Sequence, residues 1–286
     1  MLLPLLKVDF NPVSDFTDFV HDPYVKLPLG LDINKAVVYM WMAAAVTTIL
    51  TLIVFRNGLK LRPDGRQTTA EVIYDVCQNQ VARAGLPEEG MRIWFPYVAT
   101  LFVFIWMMNL IGFIPLPFGE RHFHLFGLSI PEFQIYAATA NLSVTLALTL
   151  VTFFATHIEG IRYNGPVKYF KSWMPSGLPS PKPWGLKSPA VLILLTLIAV
   201  IEVLSQLVRI VSLSFRLFFN LLAGHLVIAV FLGLASLLGT YFVLVIGIPM
   251  GIALYTLEAT LIAGLQAFIF ATLSAIYIGG AIHPDH

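Results

Sequence analysis

The chain has 286 residues, of which 58% are hydrophobic and only 12% charged, with a formal net charge of +1. Soluble domains usually carry about 25% charged residues. This composition, with a mean hydropathy of +0.82, therefore excludes a water-soluble globular domain, and the near-zero charge gives no reason to expect a nucleic-acid partner.

Several apolar runs approach the roughly 20 residues that carry a helix across a bilayer, where backbone polar groups must be satisfied within the segment itself. The expected fold is an all-α polytopic membrane protein. It has about five membrane helices plus one amphipathic surface helix, and the last two membrane helices are long and tilted. The single cysteine, Cys77, excludes an intrachain disulfide and a cysteine-rich metal site; its expected role is packing. The opening MLLPLLKVDF is too short an apolar run for a signal peptide, and no small-residue cleavage site follows it. The N-terminus is therefore read as mature.

In chain order, residues 1–35 hold prolines at 4, 12, 23 and 28 and read as an external segment. The remainder, 36–286, reads as one membrane domain. The first span is expected over about 37–55, followed by the basic residues Arg56, Lys60, Arg62 and Arg66. An amphipathic helix is expected over about 68–84, where Val72, Ile73, Val76 and Val81 alternate with Glu71, Asp75, Asn79 and Arg83. It reads either as a helix lying on the membrane surface or as a connecting helix packed under the bundle. The second span covers about 94–114. His122 and His124 lie in the loop beyond it; without a supporting Cys/His cluster they read as loop residues, and no metal site is expected. The third span covers about 136–155, with Asn141 as its main polar residue, and a Pro- and Gly-rich loop runs from His157 to Lys187.

Lys and Arg number four in 56–66 and five in 157–187, against one, Arg121, in 115–136. The positive-inside rule then places the N-terminus outside and the C-terminus in the cytoplasm. From Ser188 to Ile282 only Glu202, Arg209, Arg216 and Glu258 are charged. Two over-long helices are expected here, over about 189–238 and 250–279, with breaks at Gly233 or Gly239 and at Gly247-Ile-Pro249. A helix of more than 40 residues exceeds about 60 Å and must tilt or bend.

The first of these long helices carries the chemistry. Glu202, Ser205, Arg209, Ser212, Arg216, Asn220 and Ala223 follow steps of three and four, the period of one helix face. An arginine at the centre of a membrane helix costs roughly 2.5–3.5 kcal/mol on insertion scales. It is normally tolerated only opposite a partner, a water-filled cavity or an ion path. Glu202 is about 10 Å of helix rise from Arg209, and no carboxylate lies within four positions of Arg216. The counter-charge of Arg216 must therefore come from another helix or another chain.

Three segments now point to a family. SLSFRLFFNLLAGHL (Ser212–Leu226), LQAFIFATLSAIYI (Leu265–Ile278) and Asn109–Pro115 closely resemble the S-L-x-x-R-L-F-x-N-x-x-A-G, Q-A-x-x-F and N-I/L-I/L-G-x-x-P elements of the a subunit of rotary F-type ATP synthases. The resemblance runs from the first span onward. It implies a proton-translocating stator with no bond-making chemistry and no cofactor of its own, although the complex makes ATP. Its partners would be the c-ring, the b subunits of the peripheral stalk and membrane lipid. A bacterial plasma membrane is the expected location, from the chain's length and its long cytoplasmic loop.

Under the resemblance the family's essential arginine falls on Arg216, facing a c-ring carboxylate, with Asn220 one turn on and Gln266 on the last helix. Glu202 falls on the acidic position of the cytoplasmic half-channel and Arg209 on a position that is often basic. His225 falls on a polar position of the opposite half-channel, with Glu258 as its candidate complement. Asn220 and Gln266 carry a second reading as interhelical hydrogen-bond glue, Arg209 and Glu202 as structural partners, and His225 as a satisfied core histidine. One departure stands out. The family places the last-helix group seven residues before the glutamine, whereas Glu258 is eight before Gln266. On a regular helix Ala259 would take the aligned place and Glu258 would swing about 80° away, unless a local bulge restores the register. The competing class is a self-contained channel or secondary transporter, which needs internal repeats and a midplane site; the sequence shows neither.

Overall fold

The computed structural model describes residues 34–55, 63–114, 122–125, 128–131, 137–172, 189–238 and 243–283. Residues 1–33, which make up most of the segment 1–35 expected to be external, most of the basic stretch after the first span, and Gly239 lie outside the described residues. Helix α1 is Lys35–Phe55, α2 is Gly65–Asp75 continued by a π-helical segment Val76–Ala82, and α3 is Glu88–Gly112. A short antiparallel pair follows, β1 (His122–Leu125) and β2 (Leu128–Pro131). Helices α4 (Leu142–Asn164), α5 (Pro166–Ser172) and α6 (Pro189–Leu238) come next. The last membrane element is one continuous helical stretch. It consists of a π turn Val243–Gly247, α7 (Ile248–Leu257), a second π turn Glu258–Ile262, and α8 (Ala263–Ile282).

Five stretches are long and apolar enough to cross a membrane: Lys35–Ile53, Glu88–Gly112, Leu142–Asn164, Thr196–Gly224 and Val245–Ile282. The chain is an all-α polytopic membrane protein whose small hairpin is the sole β structure among the described residues. Several details differ from the sequence reading. His122 and His124 lie on β1, paired in register with Pro131 and Ser129. Asn141 is not inside the third span. Its side-chain carbonyl accepts the Ser143 amide at 2.9 Å, the local bond with which an Asx side chain starts a helix. The span consequently begins later and runs to Asn164, past His157 and Arg162. It stops at Gly165, whose φ of +77° suits only a residue without Cβ and whose amide closes on the Ile161 carbonyl at 2.8 Å. Pro166 then prevents continuation. Gly233 lies within α6, and Gly247-Ile-Pro249 marks the passage from the π turn into α7, with Pro249 in the first turn of α7.

The described residues fall into two compact units interleaved in sequence. One draws on Met1–Leu59, Val103–Val144 and Leu217–Ala267, the other on Lys60–Phe102, Thr145–Arg216 and Phe268–His286.

In the first unit a buried cluster of Phe113, Ala137, Leu221 and Ala263 is flanked by Ala140, Tyr255 and Ala259. Small residues permit close approach: a methyl added to Gly112 would collide with Ala137. In α1 the Thr47, Thr48 and Thr51 hydroxyls return to carbonyls four residues back at 2.7–2.8 Å, so an apolar environment meets no unsatisfied hydroxyl.

In the second unit α2 has no buried residue, whereas Cys77, Val81 and Ala82 in the segment after it are buried. Beyond them Gly85 lies against the backbone of Ala275 and Ile276. The amphipathic segment therefore has an open N-terminal half and a C-terminal end packed on α8.

Candidate functional site

The polar stripe of α6 is displayed on one continuous helix. Leu213, Leu217 and Leu221 are buried, and Ser214 with them. Rotated away from that face, Ser212, Arg216 and Ala223 are exposed, while Glu202, Ser205, Arg209 and Asn220 are half-buried. Arg216 has no ion-pair partner among the described residues. The Thr196–Gly224 part of this helix is far less buried than Glu88–Gly112 or Val245–Ile282, so the described residues leave the surroundings of Arg216 largely uncovered. The exposed neighbours Phe215 and Phe219 make that surface apolar.

Toward its N-terminus the stripe does find partners. Gln206 donates to the Glu202 carboxylate at 3.0 Å, one turn along the same helix. The Arg209 guanidinium stands over the Tyr277 ring at 5.2 Å, within the range of cation–π attraction. Gln206, Arg209 and Tyr277 line one side of a small half-open cavity. Across it runs a feature that the sequence reading missed: Thr149, Thr152 and Thr156, steps of three and four along α4, together with His157. Thr145 and Glu159 extend the same face, and both are buried. A threonine stripe in an apolar helix was the available signal. These hydroxyls donate to carbonyls of their own helix, Thr149 to Thr145 at 2.8 Å and Thr156 to Thr152 at 2.9 Å. Each oxygen thus keeps acceptor capacity. The Tyr97 hydroxyl joins that of Thr152 at 2.9 Å. The wall can hold water in hydrogen bonds.

The other half of the predicted site lies on the last membrane element. Glu258 is 2% exposed and Gln266 6%. Of the two arrangements that the sequence left open, a regular helix with Glu258 swung away or a local bulge, the structure has the bulge, a π turn at Glu258–Ile262. A π turn closes i to i+5 bonds and so takes up one more residue than an α turn. Here the Ala263 amide reaches back to the Glu258 carbonyl. Eight residues therefore span about the rotation that seven would, and both polar side chains face inward. Ala259 instead packs on the apolar cluster.

The Glu258 carboxyl lies against Gly224, where any Cβ would overlap it. His225 follows in the α6 backbone, its side chain outside the described residues. Two bonds from the end of α3 bracket the turn. The Tyr255 hydroxyl donates to the Phe113 carbonyl, and Asn109 Nδ2 donates to the Ala263 carbonyl at 3.2 Å. Asn109, wholly buried, also accepts the Thr139 hydroxyl at 2.7 Å. Sequence alone gave Asn109 as part of a motif and as a structural residue; the structure shows it clamping helices together.

Apolar helices of membrane length define a polytopic membrane protein, and an exposed arginine with buried polar groups on such helices marks its candidate functional site. The sequence profile of the ATP synthase A chain family matches residues 37–279. Among curated relatives, ATP synthase subunit a of Rubrobacter xylanophilus is 34% identical over 259 residues, covering 90% of this chain and 87% of the relative. Subunit a of Maricaulis maris is 32% identical over 289 residues, 97% of this chain and 99% of the relative, and that of Bradyrhizobium diazoefficiens 36% over 256, 87% of each. The chain belongs to the ATP synthase A chain family.

Proposed function

We propose that this chain is the ion-translocating stator of a rotary ATP synthase. It would provide two half-channels that load and unload protons on the carboxylates of a c-ring, with Arg216 between them. The observation that carries the reading is the placement of Arg216: exposed on the polar stripe of a membrane-length helix, with no acid of the described chain paired to it. A charge so placed requires an answering group, and a ring carboxylate supplies it.

The mechanism follows from the chemistry of the side chain. A guanidinium holds its proton throughout the physiological range. A ring carboxylate arriving beside it is favoured in its ionised form and gives up its proton to the adjoining half-channel. A proton finds no favourable site next to the fixed cation, so the two half-channels stay separated. Lysine would serve less well, because burial can strip its proton. The driving force is about 2.3 kcal/mol per charge per 100 mV, plus the pH difference. Glu202, with Gln206, and Arg209 beside the threonine-lined cavity suit one access path. Glu258, Gln266, Asn220 and His225 suit the other.

The chain makes and breaks no bond in this scheme; ATP chemistry resides in partner subunits, and the b subunits of the peripheral stalk hold the stator still. The scheme is consistent with a plasma membrane location, N-terminus outside and C-terminus cytoplasmic. Substituting Arg216→Ala in the whole complex tests the reading. ATP-driven acidification of inverted vesicles should fall by at least about 100-fold while the complex still assembles. Undiminished pumping would refute it.

A further inference from the structure

We infer that the π turn at Glu258–Ile262 is a register device that delivers the Glu258 carboxyl to a notch at Gly224, making Gly224 and the turn positioning elements of the proton path. This rests on the stator reading above. Four observations meet here. Between Glu258 and Gln266 the helix takes up an extra residue as a π turn. Both side chains are nevertheless buried. The carboxyl occupies the space that a Cβ of Gly224 would fill. Residue 259, the alternative site for a carboxyl, packs against Phe113, Ala137, Leu221 and Ala263, where an ionisable group would be costly. The bonds from Tyr255 to Phe113 and from Asn109 to Ala263 lie on either side of the turn. They hold its two ends to one short stretch at and just beyond the end of α3, so the bulge is not free to migrate along the helix.

The extra residue thus has a cost and a use. A π turn is rare in helices and frequent at functional sites. This one lets a chain with eight residues between the two polar groups present them on one side. Gly224, directly before His225, leaves the opening that receives the carboxyl.

Cysteine pairs in the whole complex, in membranes and in a Cys77→Ser background, test the geometry without relying on activity. Gly224→Cys with Glu258→Cys should oxidise to an intrachain disulfide at least about 10-fold faster than Gly224→Cys with Ala259→Cys, since bridging needs close and suitably aimed Cβ atoms. Equal rates, or a faster 224–259 pair, would overturn the inference. A second arm reads function. Moving the acid by one place, Glu258→Ala with Ala259→Glu, should lower ATP-driven proton pumping by at least about 10-fold. Deleting Thr260, which removes the extra residue and permits a continuous α-helix, should keep pumping within about threefold of the parent. Parental pumping by the moved acid, or loss of pumping by an assembled Thr260 deletion, would count against it. Should a cysteine pair prevent assembly, the moved acid decides alone. Normal pumping by Arg216→Ala would instead sink the stator reading while leaving the cross-linking result standing.

Discussion

The carboxyl group of Glu258 lies beside Gly224, in the space that any larger residue at 224 would claim for its own Cβ. A fully buried acid is thereby seated against the backbone of the helix that carries Arg216, one residue before His225.

Gly224→Ala should therefore be felt as overpacking, which costs about 1–3 kcal/mol in a well-packed site. The measurement is the thermal transition of the purified complex, expected to fall. Adding Glu258→Asp, one methylene shorter, should recover part of the loss. No change in the single variant would mean that the carboxyl does not occupy this notch.

Asn109→Ala removes two buried bonds at once, to the Ala263 carbonyl and from the Thr139 hydroxyl. Leaving buried polar groups without partners costs about 1–3 kcal/mol, and the loss should appear as reduced thermal stability of the complex. Asn109→Leu, similar in size, should not restore it. A neutral outcome would show that the clamp is dispensable.

Tyr277→Phe should behave as the parent, since the ring under Arg209 is kept, whereas Tyr277→Leu should lose the cation–π term of about 0.5–1 kcal/mol for a half-exposed site. Proton pumping is expected to change by less than about fivefold in Tyr277→Leu. Arg209→Gln should likewise be milder than Arg216→Ala. A loss in Arg209→Gln as deep as that of Arg216→Ala would mean that the two arginines share one role.

Cys77 is buried in the segment after α2, and burial pushes its thiol up to about 11. The thiolate is the reactive form, so alkylation of the intact complex by a maleimide at pH 7–8 should be much slower than for an exposed thiol and should climb as pH approaches 11. Below the ordinary thiol range both folded and unfolded chains keep the proton, and stability is unaffected. Between that range and about pH 11 the unfolded chain ionises first, so stability declines. Rapid labelling at neutral pH would contradict the burial.

The five spans were readable because each depends only on a run of apolar residues long enough for a bilayer, and the stripe through Arg216 because it repeats with the helix period. What escaped the sequence depends on contacts between distant residues. The eight-residue spacing from Glu258 to Gln266 raised the option of a local bulge, but nothing in Glu258-Ala-Thr-Leu-Ile262, which has no proline or glycine, places it there; its position depends on Asn109 and Phe113 holding its flanks. Asn141 looked like a polar residue inside a span, because an Asx cap and an interhelical asparagine are the same letter. The Thr149, Thr152 and Thr156 stripe was legible in spacing, yet its meaning came only with Arg209 and Tyr277 across the cavity. His122 and His124 sit on a strand that four-residue runs cannot predict.

The central claim is that Arg216 is answered by an acid belonging to a different, moving chain. A map of the assembled complex that resolves side chains tests it most directly. The account predicts a carboxylate of a neighbouring ring subunit within about 4 Å of the guanidinium, in the middle of the membrane. An Arg216 paired with Glu202, Glu258 or another acid of its own chain, or turned out among lipid headgroups, would contradict it.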